Sequence, residues 1–481
     1  MRRTINIFLF IAAMLLGVDA ISQSRIITTI AGKSPMASLT LPKGDSCGNI
    51  GIGGLALNSW LRGTNDICLD SAGNIYFTGQ NGLQRIDAAT GILTQLAGGG
   101  TNWSGSDTIP ATATGLGYYG MCMDTAGYLL LCYHNSTVIK LNLNTGFFTT
   151  TAGVFGLGGM SGDGGPATAA GIFATDIAFD THQNLYIIDE SNSVIRRVDA
   201  ITGIISTVAG DGLLSFSGDG GPATSARLSG PRSMIIDTNG NIYIADRYNK
   251  RVRKIDAITG IISTIAGNGI STHIVIDSVL ATTVNLGQPL SLAFDDTGFL
   301  YIGSEFYPSN YKKIWKMNLT NGIIRSYAFG HIDNYSPNYP GDGLDPDSAY
   351  ARPYGLAFDT ANNMYIADNR CRIRKITITP GEGGGGGNDT TGGQDTTNAV
   401  NHHIGSSIRL YPNPTHQQLH LSGISHPMPY SLVAITGATL AQGTLLPTAS
   451  TIDMAAYPPG IYILELHSPQ GTVIRYRVQR E

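Results

Sequence analysis

Charge is scarce in this 481-residue chain, where Asp, Glu, Lys and Arg supply 13% of positions, about half the usual globular share. The few charges nearly cancel, 30 Lys and Arg against 34 Asp and Glu, so there is no basic surplus to neutralise a phosphate backbone, and no nucleic-acid partner is expected. Long apolar runs are also missing. The longest, Ile7 to Val18, is 12 residues, short of the roughly 18 that cross a bilayer, so no transmembrane segment is expected in the mature chain. Cysteine is sparse: Cys47, Cys68, Cys122, Cys132 and Cys371 show no CxxC or metal-type spacing. Their odd count leaves at least one thiol unpaired, and most read as small core residues. No HExxH, GxSxG or Walker loop is present. What the chain does have is 62 glycines and 8% aromatics, the composition of a turn-rich all-β protein.

Arg2 and Arg3 precede the apolar run, and Val18-Asp19-Ala20 places small or apolar residues where a signal peptidase reads. A signal peptide over 1–20 with cleavage after Ala20 is therefore expected. With no Cys near the cut, no lipid anchor is expected there.

A repeat organises most of the chain beyond that point. Its clearest copy, Ser229 to Gly267, has four apolar runs (MIID, IYIA, RVRKI, IISTIA) separated by the turns DTNGN, DRYNK and DAITG, which reads as one four-stranded meander. An Asp opening the first turn recurs at Asp70, Asp124, Asp180, Asp237, Asp295 and Asp359, so six copies are present. The outer-strand signature also occurs six times, as at ITTIAG (27–32) and ISTIAG (262–267), but one unit out of phase. An orphan outer strand near Ile26 precedes the first copy, and three strands without an outer one end near Ile378. The two complete one blade, so the pattern predicts an all-β fold, a six-bladed β-propeller whose N-terminal strand closes the last blade and removes exposed edges. An open solenoid would leave both ends uncapped.

The stretch IISTVAGDGLLSFSGDGGPATSARLSGPRSMIIDTNGNIYIADRYNKRVRKIDAITG resembles the bacterial form of the NHL repeat, a family that builds six-bladed propellers. The resemblance covers about 25–378. Copies one, two and five depart from it, with Gly79, Tyr133 and Ser304 replacing the Asp of YIAD and without GDGGPAT in their loops.

From Gly381 to Asn398 the chain reads GEGGGGGNDTTGGQDTTN, with nothing apolar to bury, and is expected to be a flexible tether. A second β unit comes next, which alternation and Gly turns suggest is a small sandwich of roughly seven strands. This tail resembles the C-terminal sorting domain of type IX secretion in Bacteroidetes-like bacteria, through Tyr411-Pro412-Asn413-Pro414, the turn at Thr436 and Gly437, Gly460-Ile461-Tyr462 and the basic end at Arg475, Arg477 and Arg480. The resemblance implies that type IX machinery is a partner, that the chain crosses the outer membrane, and that it is secreted or held on the cell surface. The expected division is signal peptide 1–20, NHL-repeat propeller 21–379, Gly-rich linker 380–403 and sorting domain 404–481.

In a closed ring of meanders the first and third turns share one face, while the second turn and the blade-to-blade loop share the other. The first and third turns are nearly uniform and the blade-to-blade loops vary, so the variable face is the candidate for recognition. The first strand of each blade starts on that face. Residues four and five before each marker Asp are expected to ring the channel mouth: Asn65, Asp66, Tyr119, Gly120, Thr175, Asp176, Arg232, Ser233, Leu290, Ser291, Tyr354 and Gly355. Of these, Asn65, Asp66, Tyr119, Asp176, Arg232 and Tyr354 are the candidate binding residues, suited to a protein, peptide or glycan ligand. The alternative is that they are solvated strand ends.

No catalytic residue and no resident cofactor are expected. The GDGG loops with Asp163 and Asp219, and the acidic loop with Asp342, Asp345 and Asp347, offer oxygens to calcium, although tight Gly turns explain them as well. His134, His273 and His331 fall on the variable face, where propellers with lyase activity hold metals, but they come from dissimilar loops. The alternation in VIRRV, RVRKI and RIRKI reads as a solvated strand edge rather than a nucleic-acid surface. Two classes stand: a non-enzymatic recognition module and, as the alternative, a metal-dependent lyase or hydrolase on an NHL-type propeller.

Overall fold

The computed structural model describes residues 24–32, 51–100, 109–115, 117–133, 136–270, 278–307, 311–329 and 342–379 and, in the tail, 409–411, 418–422, 427–434, 439–446, 451–458, 460–467 and 473–480. The expected signal peptide and linker, Cys47, His134, His273, His331, the Pro412-Asn413-Pro414 turn, Thr436 and Gly437 lie outside these residues. The chain divides into two compact units, Met1–Gly383 and Gly384–Glu481.

Among its described residues the first unit is six antiparallel sheets with only single-turn 3-10 helices between them. The fourth sheet shows the pattern: Pro231–Ile236, Ile242–Asp246, Arg251–Ile255 and Ile262–Ala266 pair in chain order. The first strands of the six sheets, Thr64–Leu69, Tyr118–Met123, Ala174–Phe179, Pro231–Ile236, Gln288–Phe294 and Pro353–Phe358, pack side by side in succession, and the last returns to the first. In the sixth sheet the fourth place is taken by the N-terminal strand Ser24–Ala31, with Ile27 opposite Ile376.

Four of the six second strands are buried along their whole length, as in Ile242–Asp246, and the other two leave only Tyr186 and Glu305 half-buried, because neighbouring sheets cover both their faces. Leu185, Ile187, Ile205, Ile172 and Val138 share one such intersheet core. The first turns hold their shape through the marker Asp. Each of the six accepts hydrogen bonds from the backbone N–H two and four residues on, as Asp237 does from Asn239 and Asn241 at 2.9 Å each. In the third turns Asp87, Asn142, Asp199, Asp256 and Asn318 cap the N–H three residues on.

Two expectations need correction. The GDGG segments do not sit on the variable face. They run along the outer edge of the sheet they precede: Gly220 donates to Ile262 O at 2.9 Å and Ile262 N donates to Gly221 O at 3.0 Å, with the same exchange at Gly164/Gly165, Gly53/Gly54 and Gly343/Leu344. An outer strand left bare would expose unpaired backbone, and this segment covers it. The turn after it then docks by Ala223 N to Gly260 O, repeated at Ala56, Ala111, Ala167 and Ala281.

The third strands are not simply a solvated edge, for although Arg197 and Arg251 are half-buried, one arginine of each motif turns inward. Arg196, Arg253 and Arg374 are fully buried. Arg253 lies between Asp219, at 2.6 Å, and Asp246 of YIAD, at 3.4 Å, and Arg196 lies likewise between Asp163 and Asp189. Arg374 pairs with Asp342 at 2.6 Å. A strand that is third of four has its alternate side chains directed into the intersheet space, so a guanidinium there must bring its own counter-charges.

Among its described residues the tail unit holds two sheets, of three and four strands. Leu419, Leu432, Ile452, Tyr462, Leu464 and Val478 form its own core.

Candidate functional site

The six first strands share a feature that sequence reading missed. Each carries a bulge at the position five before its marker Asp: pairing breaks between Thr64 and Asp66, Tyr118 and Met121, Ala174 and Asp176, Pro231 and Met234, Pro289 and Ser291, and Pro353 and Gly355. A bulge frees one residue from the ladder and re-aims its side chain. Nine of the twelve residues expected at the mouth, including Asn65, Asp66, Tyr119, Asp176, Arg232 and Tyr354, line one cavity at the centre of these strands. Thr175, Ser291 and Gly355 are not among its lining residues.

The cavity is narrow. It leaves about 10 Å³ for the centre of a water molecule, room for roughly one, so neither a sugar ring nor a peptide backbone enters it.

Asp66 and Asp176 are not solvated strand ends. Asp176 is 9% exposed and accepts from Ile177 N at 2.9 Å and from Met234 N of the next sheet at 2.8 Å. Asp66 does the same with Ile67 and Met121, both at 2.8 Å. Ser291 donates to Pro353 O at 2.7 Å across another sheet boundary. These side chains stitch neighbouring sheets together. Small residues make room for them, since a Cβ on Gly120 would stand 2.6 Å from Asp176 and one on Gly355 2.8 Å from Asp66. Burial pushes both carboxyls up, Asp66 to about 6 and Asp176 to about 7; the charge of Asp66 adds to the rise at Asp176, and the N–H donors and Arg232 oppose it. The two titrate as a pair.

Arg232, Tyr119 and Tyr354 line the same cavity, and their side chains make no hydrogen bond or ion pair among the described residues. Around the mouth, the second turns hydrogen-bond to the starts of the first strands, as Tyr248 N does to Ser229 O and Asn369 N to Arg352 O. YIAD aspartates fix this junction, Asp246 accepting from Ser229 N and Asp368 from Arg352 N.

The acidic loops have their oxygens engaged. Asp163, Asp219 and Asp342 hold buried arginines, and Asp345 and Asp347 pair with Arg25. Among the described residues no three of His, Cys, Asp and Glu stand together to hold a metal ion. Cys68, Cys122 and Cys132 are free thiols that burial pushes well above their usual range, and Cys371 is disulfide-bonded.

In the tail, Tyr411 pairs with His420 at the end of the first strand. Gly460 and Tyr462 lie on the strand Gly460–His467 next to the last strand, where Gly460 faces Arg480 and Tyr462 faces Val478. The Tyr462 ring is in the core and its hydroxyl donates to Pro458 O.

Comparison with known proteins agrees with this architecture. The family model of the teneurin NHL domain matches residues 213–293, and that of the secretion system C-terminal sorting domain matches 409–478. NHL repeat-containing protein 2 of Bos taurus is 28% identical over 125 residues, 24% of this chain and 17% of that protein. The curated relatives are thus matched over less than a fifth of their own length. A protein of unknown function from Bacteroides thetaiotaomicron superposes with a TM-score of 0.53 at 18% identity, covering 74% of this chain and 76% of that one. An auxiliary nutrient binding protein from Bacteroides ovatus superposes at 0.51 and 14% identity, covering 74% and 77%.

Proposed function

On the premise that the chain is an NHL-repeat propeller followed by a type IX secretion sorting domain, we propose that it is a recognition module displayed outside the outer membrane. It is a six-bladed ring closed by its N-terminal strand, with the tail folded as a small sandwich, and it binds a protein, peptide or glycan across the variable face. Cleavage of the tail by the secretion machinery accompanies export.

One observation carries this reading. The face built from first and third turns spends its recurring side chains on its own backbone, while at the mouth Arg232, Tyr119 and Tyr354 keep donors to offer. Because the cavity admits roughly one water, the ligand lies over the rim rather than inside the channel.

Glycan and peptide arrays probed with the chain and with Arg232→Ala, Tyr354→Ala and Asn239→Ala test the face. The first two variants lose binding and the third keeps it; equal effects of all three reject the assignment. Fractionating cells that express the full chain or a truncation after Asn398 tests export. Only the full chain reaches the surface or medium, and recovery of the truncated form there at the same level rejects the sorting role. Deleting 21–32 tests closure, since it strips the last sheet of its outer strand and lowers Tm far more than an equal cut in the linker.

A further inference from the structure

Exposed apolar side chains gather at the variable-face end of the fourth sheet. Leu213 is 54% exposed, Leu214 67%, Ile270 53%, Tyr248 51% and Met160 47%. They come from three loops and a turn that are pinned to one another. Asn249 donates to Ser215 O at 2.7 Å, which ties the 211–217 loop to the second turn. Arg251 donates to Asn268 O at 3.0 Å, which ties in the next loop, and its guanidinium lies 3.8 Å from the centre of the Phe216 ring. The Met160 sulfur lies against Gly212, 3.6 Å from where a Cβ there would stand. The ridge is therefore preformed, and little side-chain and loop ordering is left to oppose binding.

Two cations, Arg247 and Lys250, flank it without an ion-pair partner among the described residues. Arg247 donates to Gln288 Oε1 at 3.1 Å and lies over the Tyr248 ring, so its fork is held flat along the surface. Neither Arg247 nor Lys250 has a carboxylate partner among the described residues, whereas Arg251 has its fork on Asn249 O and Asn268 O and feels Asp219 and Asp246, and Arg227 is paired with Asp211 at 2.9 Å.

Tyr, Met and Arg around aliphatic anchors are the composition of a protein-binding hot spot. A sugar laid on Leu213, Leu214 and Ile270 would leave hydroxyls without hydrogen bonds. Fixed guanidinium forks suit carboxylates at set spacings rather than the fluid charge of a lipid surface. Resting on the variable-face reading above, we infer that this ridge docks an acidic protein segment that places apolar side chains on Leu213, Leu214 and Ile270 and carboxylates on Arg247 and Lys250.

The test uses the full chain and synthetic peptides that alternate Leu or Phe with Glu, beside versions with Lys for Glu and with Ser for the apolar residues. Polygalacturonate and anionic phospholipid vesicles are run in parallel. Binding of the Leu/Phe–Glu peptides is expected, with a loss of at least roughly tenfold in either replacement set. Arg247→Glu/Lys250→Glu, at solvent-facing turn positions, is expected to reverse the preference toward the Lys peptides, an outcome that mere loss of structure does not give. No preference between Glu and Lys peptides overturns the inference, as does capture of polygalacturonate or vesicles alone. Peptide binding that ignores the charge reversal but is lost in Arg232→Ala or Tyr354→Ala overturns the ridge and keeps the face. Binding lost only in Lys254→Glu, at the other end of the same sheet, overturns both.

Discussion

The third, fourth and sixth sheets bury Arg196, Arg253 and Arg374 on their third strands, and each sheet carries an Asp at the end of its second strand: Asp189, Asp246 and Asp368. The first, second and fifth sheets place Gln84, Ile139 and Trp315 at the same register, and Gly79, Tyr133 and Ser304 where the Asp would be. Cation and anion are kept or lost together. That is the behaviour of a packing device, since a lone charge in the intersheet space is expensive and an apolar replacement of the whole group is not. Absence of the recurring Asp from half of the sheets therefore removes no binding residue. The residues proposed for recognition, Arg232 and Tyr354 among them, are instead ones that differ from sheet to sheet.

The largest effect expected from breaking this comparison is at Arg253. Arg253→Ala strands Asp246 without its cation and is expected to cost about 3–5 kcal/mol, whereas Gln84→Ala at the same register costs about 1 kcal/mol, measured by denaturant melts of the two variants. Similar losses at both positions would mean that the arginine is not specially placed. A sharper version replaces the group as a whole: Arg253→Met, Asp246→Leu and Asp219→Ser together are expected to restore most of the stability lost in Arg253→Ala. A further loss in the triple variant would point to a role beyond packing.

A smaller effect concerns the axis. The Asp66 and Asp176 carboxyls are raised from 3.8 to about 6 and about 7, so between these limits the folded chain holds protons that the unfolded chain has released. Their contribution is fully present below pH 4, approximately the unfolded value, and is lost as pH rises toward about 7. Asp176→Asn removes the charge, so its Tm relative to the parent is expected to rise by roughly 2–4 °C between pH 5 and pH 8. A difference that stays flat or falls would show that the carboxylate is comfortable as an anion. The smallest effect belongs to the first turns: Asn239→Ala, at an exposed position that meets the Asp237 cap through its backbone N–H, is expected to leave both Tm and binding within error of the parent.

Much of this was legible before the fold was seen, because a repeat announces its own turns. The marker Asp residues, the meander and the pairing of Ser24–Ala31 with Arg372–Thr379 follow from spacing and phase. The position of nine mouth residues followed from counting back along the first strands. The bulges did not, since no residue type marks them: Asn65, Thr175, Arg232 and Leu290 occupy equivalent places. Nor did the course of GDGG along the sheet edge, because glycine's backbone pairing leaves no side-chain pattern. The burial of the arginines had a signal that went unused, namely that copies lacking the YIAD Asp also lack the Arg. The exposed ridge had one as well, the apolar LLSF inside a Gly-rich loop.

The proposal gives two arginines of one sheet opposite duties, and the most direct test measures both on the same samples. Arg253→Ala and Arg232→Ala are each melted and then assayed, below their melting temperatures, for capture of a ligand selected on the parent chain. The prediction is that Arg253→Ala melts well below the parent yet binds while folded, and that Arg232→Ala melts with the parent yet fails to bind. Loss of binding by folded Arg253→Ala, or retention of binding by Arg232→Ala, would contradict it.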